Sequence, residues 1–135
     1  MASFVVDYKE GKEEENKILP IIRKHFNKDI KPTIKTNHTF DFYDEDGCFY
    51  ELKKRNNRHN AFPTTIIGIN KISTKKLILL FSFSDGLYYI KYDKKLFASF
   101  EKKLFVRNKR IDFTDKVKEY LFIPISDLTF LDNLI

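Results

Sequence analysis

Asp41, Glu51 and Lys53 are the residues of this 135-residue chain whose types and spacing could do chemistry. They fall in two short runs, His38 to Tyr43 and Cys48 to about Arg55, separated by Asp44-Glu45-Asp46-Gly47, a pattern that reads as a β-hairpin. Gly47 suits the left-handed third residue of a three-residue loop, Glu45-Asp46-Gly47, so Asp44 should pair with Cys48. Counting outward from that pair sets Asp41 opposite Glu51. Strand alternation then gathers Thr39, Asp41 and Tyr43 on one face with Phe49, Glu51 and Lys53, and turns Phe40, Phe42, Tyr50 and Leu52 into the core. Facing carboxylates destabilise a ladder unless a cation compensates, and a divalent metal would do so. Carboxylate oxygens suit Mg2+ or Mn2+, which can activate water and neutralise charge on a phosphodiester, while Lys53 can orient the water or stabilise the transition state.

The tripeptide Glu-x-Lys is weak evidence by itself. With eight Glu and twenty Lys in the chain, about one occurrence is expected by chance. Four are present, starting at Glu10, Glu15, Glu51 and Glu101. Only Glu51 sits in an expected strand with an Asp facing it. The competing reading of Asp41, Glu51 and Lys53 is a solvated strand face. A rival set, Asp93-Lys94-Lys95 after Asp85, is weaker because Asp85 belongs to its own turn.

The elements that must position these residues are legible in outline. Ile18, Leu19, Ile22 and Phe26 form an apolar stripe behind Glu13, Glu14 and Glu15, which predicts a helix from about Lys12 to His25, kinked by Pro20 or starting near it. After the hairpin, Pro63 opens a segment, Thr64 to Ile72, read as helical with Thr64 or Thr65 near the cap, against its β-branched content. Lys76 to Ser84, a Ser84-Asp85-Gly86 turn and Leu87 to Tyr92 predict a second hairpin, giving four strands. A short helix is expected around Leu96 to Lys102, an extended run over Tyr120 to Ile125, and a last helical turn capped by Ser126 or Asp127 and carrying Leu128, Phe130 and Leu131. The fold class is therefore α/β or α+β, with a central mixed sheet of four or more strands flanked by helices.

Composition narrows the class of function. Twenty-five basic against nineteen acidic residues leave a formal charge of +6, which makes polyanions the partner to test. No linker or repeat interrupts the chain, so it is expected to be a single domain over 1–135. One cysteine, Cys48, excludes an internal disulfide and fits an intracellular setting. The start of the chain has no basic leader region, and no apolar run approaches a membrane span, so secretion and membrane insertion are not expected. His25, His38 and His59 fit no zinc spacing and read as surface or structural histidines. No glycine-rich phosphate loop is present. Tyr88, Tyr89 and Tyr92 read as strand packing more than as stacking platforms.

The pieces together resemble the PD-(D/E)xK nuclease superfamily, with its restriction-endonuclease-like core: Gly11-Lys12-Glu13-Glu14-Glu15 on a first helix, Phe40-Asp41-Phe42-Tyr43 on one strand, Tyr50-Glu51-Leu52-Lys53 on the next. The match covers about 11–92, leaving 93–135 as a basic extension, and looks closest to the small resolvase-like and phage or viral members. The resemblance implies that Asp41 and Glu51 bind Mg2+ or Mn2+ with the Leu52 carbonyl, that Lys53 positions the attacking water, and that Glu15 is the helix acid. Glu13 and Glu14 compete for that last role; Glu15 is preferred for its placement toward Ile18, Leu19 and Ile22. Lys71, from the helix expected after the hairpin, is the candidate for an added basic group. Lys54, Arg55 and Arg58, with a second set around Lys94, Lys95, Lys102, Lys103, Arg107, Lys109 and Arg110, are candidate phosphate contacts or solubilising charge. The implied function is metal-dependent hydrolysis of DNA, endonuclease favoured over exonuclease. Specificity would come from substrate shape, a homodimer or a larger complex. The alternative is a nuclease-like domain that binds nucleic acid, or serves in a virion, without cutting.

Overall fold

Helix α1, Ala2–Phe26, carries Ile18 and Ile22 fully buried on one stripe. It is longer than the stripe alone predicts, and it runs through Pro20. Pro20 and Asn16, the residue whose carbonyl loses a partner, both face solvent, so water satisfies what the ring removes. Arg23, Lys24 and His25 complement the dipole in the last turn. Asn27, at φ +53°, then turns the chain away. The computed structural model describes residues 2–33, 40–72, 76–105 and 118–133. His38 and Thr39 of the first expected strand, and Arg107, Lys109 and Arg110 of the basic extension, lie outside them.

The strands are β1 Lys31–Pro32, β2 Phe42–Tyr43, β3 Phe49–Lys54, β4 Thr64–Gly68, β5 Leu77–Phe83, β6 Gly86–Lys91, β7 Glu101–Phe105, β8 Lys118–Pro124 and β9 Thr129–Asp132. Six form a mixed sheet in the order β1-β2-β3-β5-β6-β9, and three form a second sheet, β4-β8-β7. The fold is thus mixed α+β with a multistranded mixed sheet and few helices. Strands β3 and β5 pair in parallel, Glu51 beside Leu79 and Lys53 beside Phe81. Strand β5 is buried along its whole length, as expected where both faces of a sheet are covered.

One face packs Tyr50, Ile78, Leu80 and Leu87 against Ile18 and Ile22 of α1. The other packs Leu77, Leu79, Phe81 and Phe83 against Ile67, Leu121 and Ile123 of the second sheet. Each fully buried aliphatic side chain contributes roughly 1.5–3 kcal/mol. Among the described residues the large sheet is therefore flanked by α1 on one side and, on the other, by the second sheet together with Phe97 of the short helix Lys94–Ala98.

Four local expectations change accordingly. Thr64–Gly68 is strand β4, not a helix, because four consecutive β-branched side chains favour the pleated surface that pairing with β8 offers; only Ile69–Lys71 is helical, as a single 3-10 turn. The short helix α2 is Lys94–Ala98, capped by Asp93, whose carboxylate accepts the Leu96 N–H at 2.9 Å, and the chain past it enters β7. The terminal segment makes a 3-10 turn at Ile125–Asp127 and then β9, which pairs with β6 in place of an exposed helical turn. Phe40 does not join Phe42 and Tyr50: it stacks on Phe49 at 5.0 Å, on the Glu51 side of the sheet, because the bend at Asp41 breaks the alternation.

Candidate active site

The hairpin has the register counted from its loop. Tyr43 faces Phe49, Phe42 faces Tyr50, and Gly47 sits at φ +78°. At Asp41 the ladder stops. Its N–H still reaches the Tyr50 carbonyl at 3.0 Å, but its side-chain Oδ2 accepts the Leu52 N–H at 2.8 Å, taking the place of a backbone acceptor. The Asp41 carbonyl is held by the Thr33 N–H at 3.0 Å. Because a strand residue points its N–H and C=O to the same edge, the Leu52 carbonyl lies on the Asp41 edge of β3.

Glu51 points to the face covered by the second sheet and is only 3% exposed. Its Oε2 lies 3.3 Å from Lys53 Nζ and 3.4 Å from Lys71 Nζ, while its buried Oε1 accepts no hydrogen bond. Burial, and next the charge of Asp41, push its pKa up to about 7, against the pull of Lys53 and Lys71. A carboxylate held there is half protonated near neutrality and gains from any added cation. The Lys71 ammonium arrives from the 3-10 turn after β4, so the residue reaches the site although the element expected to carry it does not form.

The remaining expected site residues separate. Glu15 is buried at 8% exposure on the α1 stripe of Ile18 and Ile22, on the Tyr50 side of β3, whereas Glu51 points to the opposite side. Its neighbour Glu14 accepts a 2.6 Å hydrogen bond from Ser82 Oγ. Arg55 braces the second sheet: Nη2 donates to the Ile66 carbonyl at 2.5 Å, Nε to Thr65 Oγ1 at 3.3 Å, and the guanidinium lies 5.8 Å from the Phe81 ring centre. Lys54 is exposed at the end of β3. Arg58 is exposed too, 3.9 Å from Asp85. His59 is satisfied in place, with Nδ1 2.6 Å from Asp85 Oδ2 and its ring stacked on Tyr88.

Asp41, Glu51 and the Leu52 carbonyl offer hard oxygen donors, one of them a buried carboxylate oxygen with no hydrogen bond, and that set fits Mg2+ or Mn2+ with water completing the shell. Among the described residues no group of three or more His, Cys, Asp or Glu side chains is placed to hold a metal ion. No described helix is long and apolar enough to cross a membrane. Sequence reasoning missed Gly68, Asn70, Lys118 and Tyr120, which line a cavity with Lys53 and Lys71. Nothing local marks them, because the pairing of β4 with β8 brings them there. No protein-family model matches the chain, no curated protein matches it, and no solved structure matches it.

Proposed function

We propose that the protein is a metal-dependent nuclease of the PD-(D/E)xK type with a restriction-endonuclease-like core, hydrolysing DNA phosphodiester bonds and acting as an endonuclease. The observation that carries this reading is the end of the β2–β3 ladder at Asp41, which leaves an aspartate bonded to the Leu52 N–H beside Glu51 and Lys53 of β3, with Lys71 reaching the same glutamate from the 3-10 turn. Asp41 and Glu51, with the Leu52 carbonyl, would hold the cation. When bound, Mg2+ or Mn2+ supplies charge neutralisation for a phosphodiester and a lower pKa for water. Lys53, anchored beside Glu51, orients the attacking water and stabilises charge on the phosphate oxygens. Lys71 approaches the same carboxylate oxygen and keeps Glu51 from protonating fully as the pH falls toward neutrality. Glu15, the helix acid that the resemblance implies, lies on the Tyr50 side of β3 and is assigned no step.

A second reading, a nuclease-like domain that binds nucleic acid without cutting, is favoured by one observation: Glu51 is almost fully buried and its Oε2 is already paired with two ammonium groups. Cleavage of labelled single-stranded, duplex, flapped and four-way-junction DNA separates the two. Cutting with Mg2+ or Mn2+ that EDTA stops and Glu51→Gln abolishes is the expected result. Metal-independent binding with no cutting of any substrate would replace the nuclease with the binding protein.

A further inference from the structure

The face of β3 that carries Glu51 and Lys53 is walled by the second sheet, and between the two lies a cavity of about 180 Å3. Among the described residues its lining holds the cationic side chains of Lys53, Arg55, Lys71 and Lys118 and no carboxylate. Lys53 and Lys71 each stand within 3.4 Å of Glu51 Oε2, so the cavity adjoins that carboxylate. Glu51 offsets one of these four charges and Arg55 is turned to Ile66 and Thr65, so the lining keeps a positive excess that an added anion would offset. The cavity is also shaped. Gly68 faces Tyr120 across the β4–β8 ladder, and a Cβ at Gly68 would come within 2.6 Å of Asn70 Oδ1 and 3.9 Å of the Tyr120 ring. The bare Cα thus lets the Asn70 carboxamide fold against the strand beside the lysines.

We propose that this cavity is a phosphate subsite, in which Lys118 of β8 and Lys71 grip one phosphate group of a nucleic-acid strand next to Glu51. The identity of the anion as nucleic acid rests on the nuclease reading; the presence of an anion site does not. Two sources share this chemistry, a terminal phosphate monoester and an internal phosphodiester.

The test is binding, read by fluorescence anisotropy in EDTA, of a 3′-labelled single-stranded oligonucleotide carrying either a 5′-phosphate or a 5′-hydroxyl. Lys118→Ala is expected to weaken binding three- to tenfold and to flatten the slope of log K against log salt by about 0.7, the release from one phosphate contact. Lys24→Ala, the same charge change on α1 across the sheet, is expected to leave the slope unaltered. Gly68→Ala, with its fold checked by circular dichroism, is expected to weaken binding by displacing Asn70. A preference for the 5′-phosphate that Lys118→Ala erases assigns the cavity to a terminal monoester; equal affinity for both ends in the wild type, with the Lys118→Ala loss intact, assigns it to an internal diester. Wild-type affinity and slope in Lys118→Ala, or an equal loss in Lys24→Ala, would overturn the subsite. Failure of every metal to support cleavage would end the nuclease reading while leaving this result standing.

Discussion

Two buried carboxylates sit on the same hairpin and are treated in opposite ways. Asp44, at the loop end, is 5% exposed. Its Oδ2 accepts the Tyr50 hydroxyl at 2.7 Å, and its Oδ1 accepts the N–H groups of Asp46 and Cys48 at 2.9 and 3.0 Å. Burial pushes its pKa up, but those hydrogen bonds and the Lys28 charge outweigh it, and the net shift is downward. Glu51, at the open end, has one oxygen between two lysines and the other with no hydrogen bond, and its pKa rises. Similar exposure therefore does not make equal carboxylates: Glu51 lies deeper and lacks the donors that Asp44 has. Donors aimed at Asp44 make it part of the loop, whereas Glu51 is held in a form that an incoming cation improves.

The largest effect expected from this contrast is on cleavage. Glu51→Gln should lower it by about 10³-fold or more, while Asp44→Asn should leave the rate per folded molecule near wild type; gel assays on both variants at matched folded fraction check this. Stability should reverse the ranking. Asp44→Ala leaves the Tyr50 hydroxyl and two backbone N–H groups without their acceptor and should cost roughly 2–4 kcal/mol in urea unfolding.

The pH dependence separates the two further. A carboxyl whose folded pKa is raised keeps its proton in the fold after the unfolded chain has released it. The Glu51 contribution to stability therefore falls as pH rises from about 4.5 to about 7 and stays level above, a loss on the order of 3 kcal/mol. The Asp44 contribution runs the other way: it is fully present above the ordinary carboxylate value of 3.8 and disappears as pH falls through its lower folded value. Urea midpoints from pH 3 to 8 should show Glu51→Gln without the decline toward neutrality and more stable than wild type at pH 8, and Asp44→Asn without the acid loss. A wild-type pH profile in Glu51→Gln would mean that Glu51 ionises without cost and that the contrast is wrong. The smallest effect is local. Gly47→Ala places a Cβ at φ +78° with open space around it, so strain alone should cost about 1 kcal/mol, read as a small drop in Tm with no change in DNA binding.

The hairpin was legible because its information is local. A glycine at a loop position that needs positive φ, flanked by alternating strands, sets the pairing, and the pairing carries Asp41 to the neighbourhood of Glu51. The α1 stripe was legible for the same reason, through its 3.6-residue period. Thr64–Gly68 was misread as helix because a run of apolar and β-branched residues has no period to separate strand from helix. Its β-branched side chains favour a strand, but only when β8, more than fifty residues later, supplies the partner. Thr129–Asp132 was misread similarly: Phe130 and Leu131 fit a helical turn equally well until the edge of β6 is available to pair with them.

What the residues determined unaided is the hairpin register, the buried stripe of α1, the excess of positive charge, and a short set of side chains with chemistry to offer. These follow from turn geometry, periodicity and counting, each complete within a few residues of the chain. Only the tertiary structure decided that a second sheet, and not a second helix, covers Glu51; that Lys71 reaches its carboxylate; that Glu15 stays on the other side of β3; and that Lys118 and Tyr120 face the same cavity. Those outcomes depend on which distant strand completes a backbone ladder and on how far the resulting layers exclude water, and no window of sequence contains either.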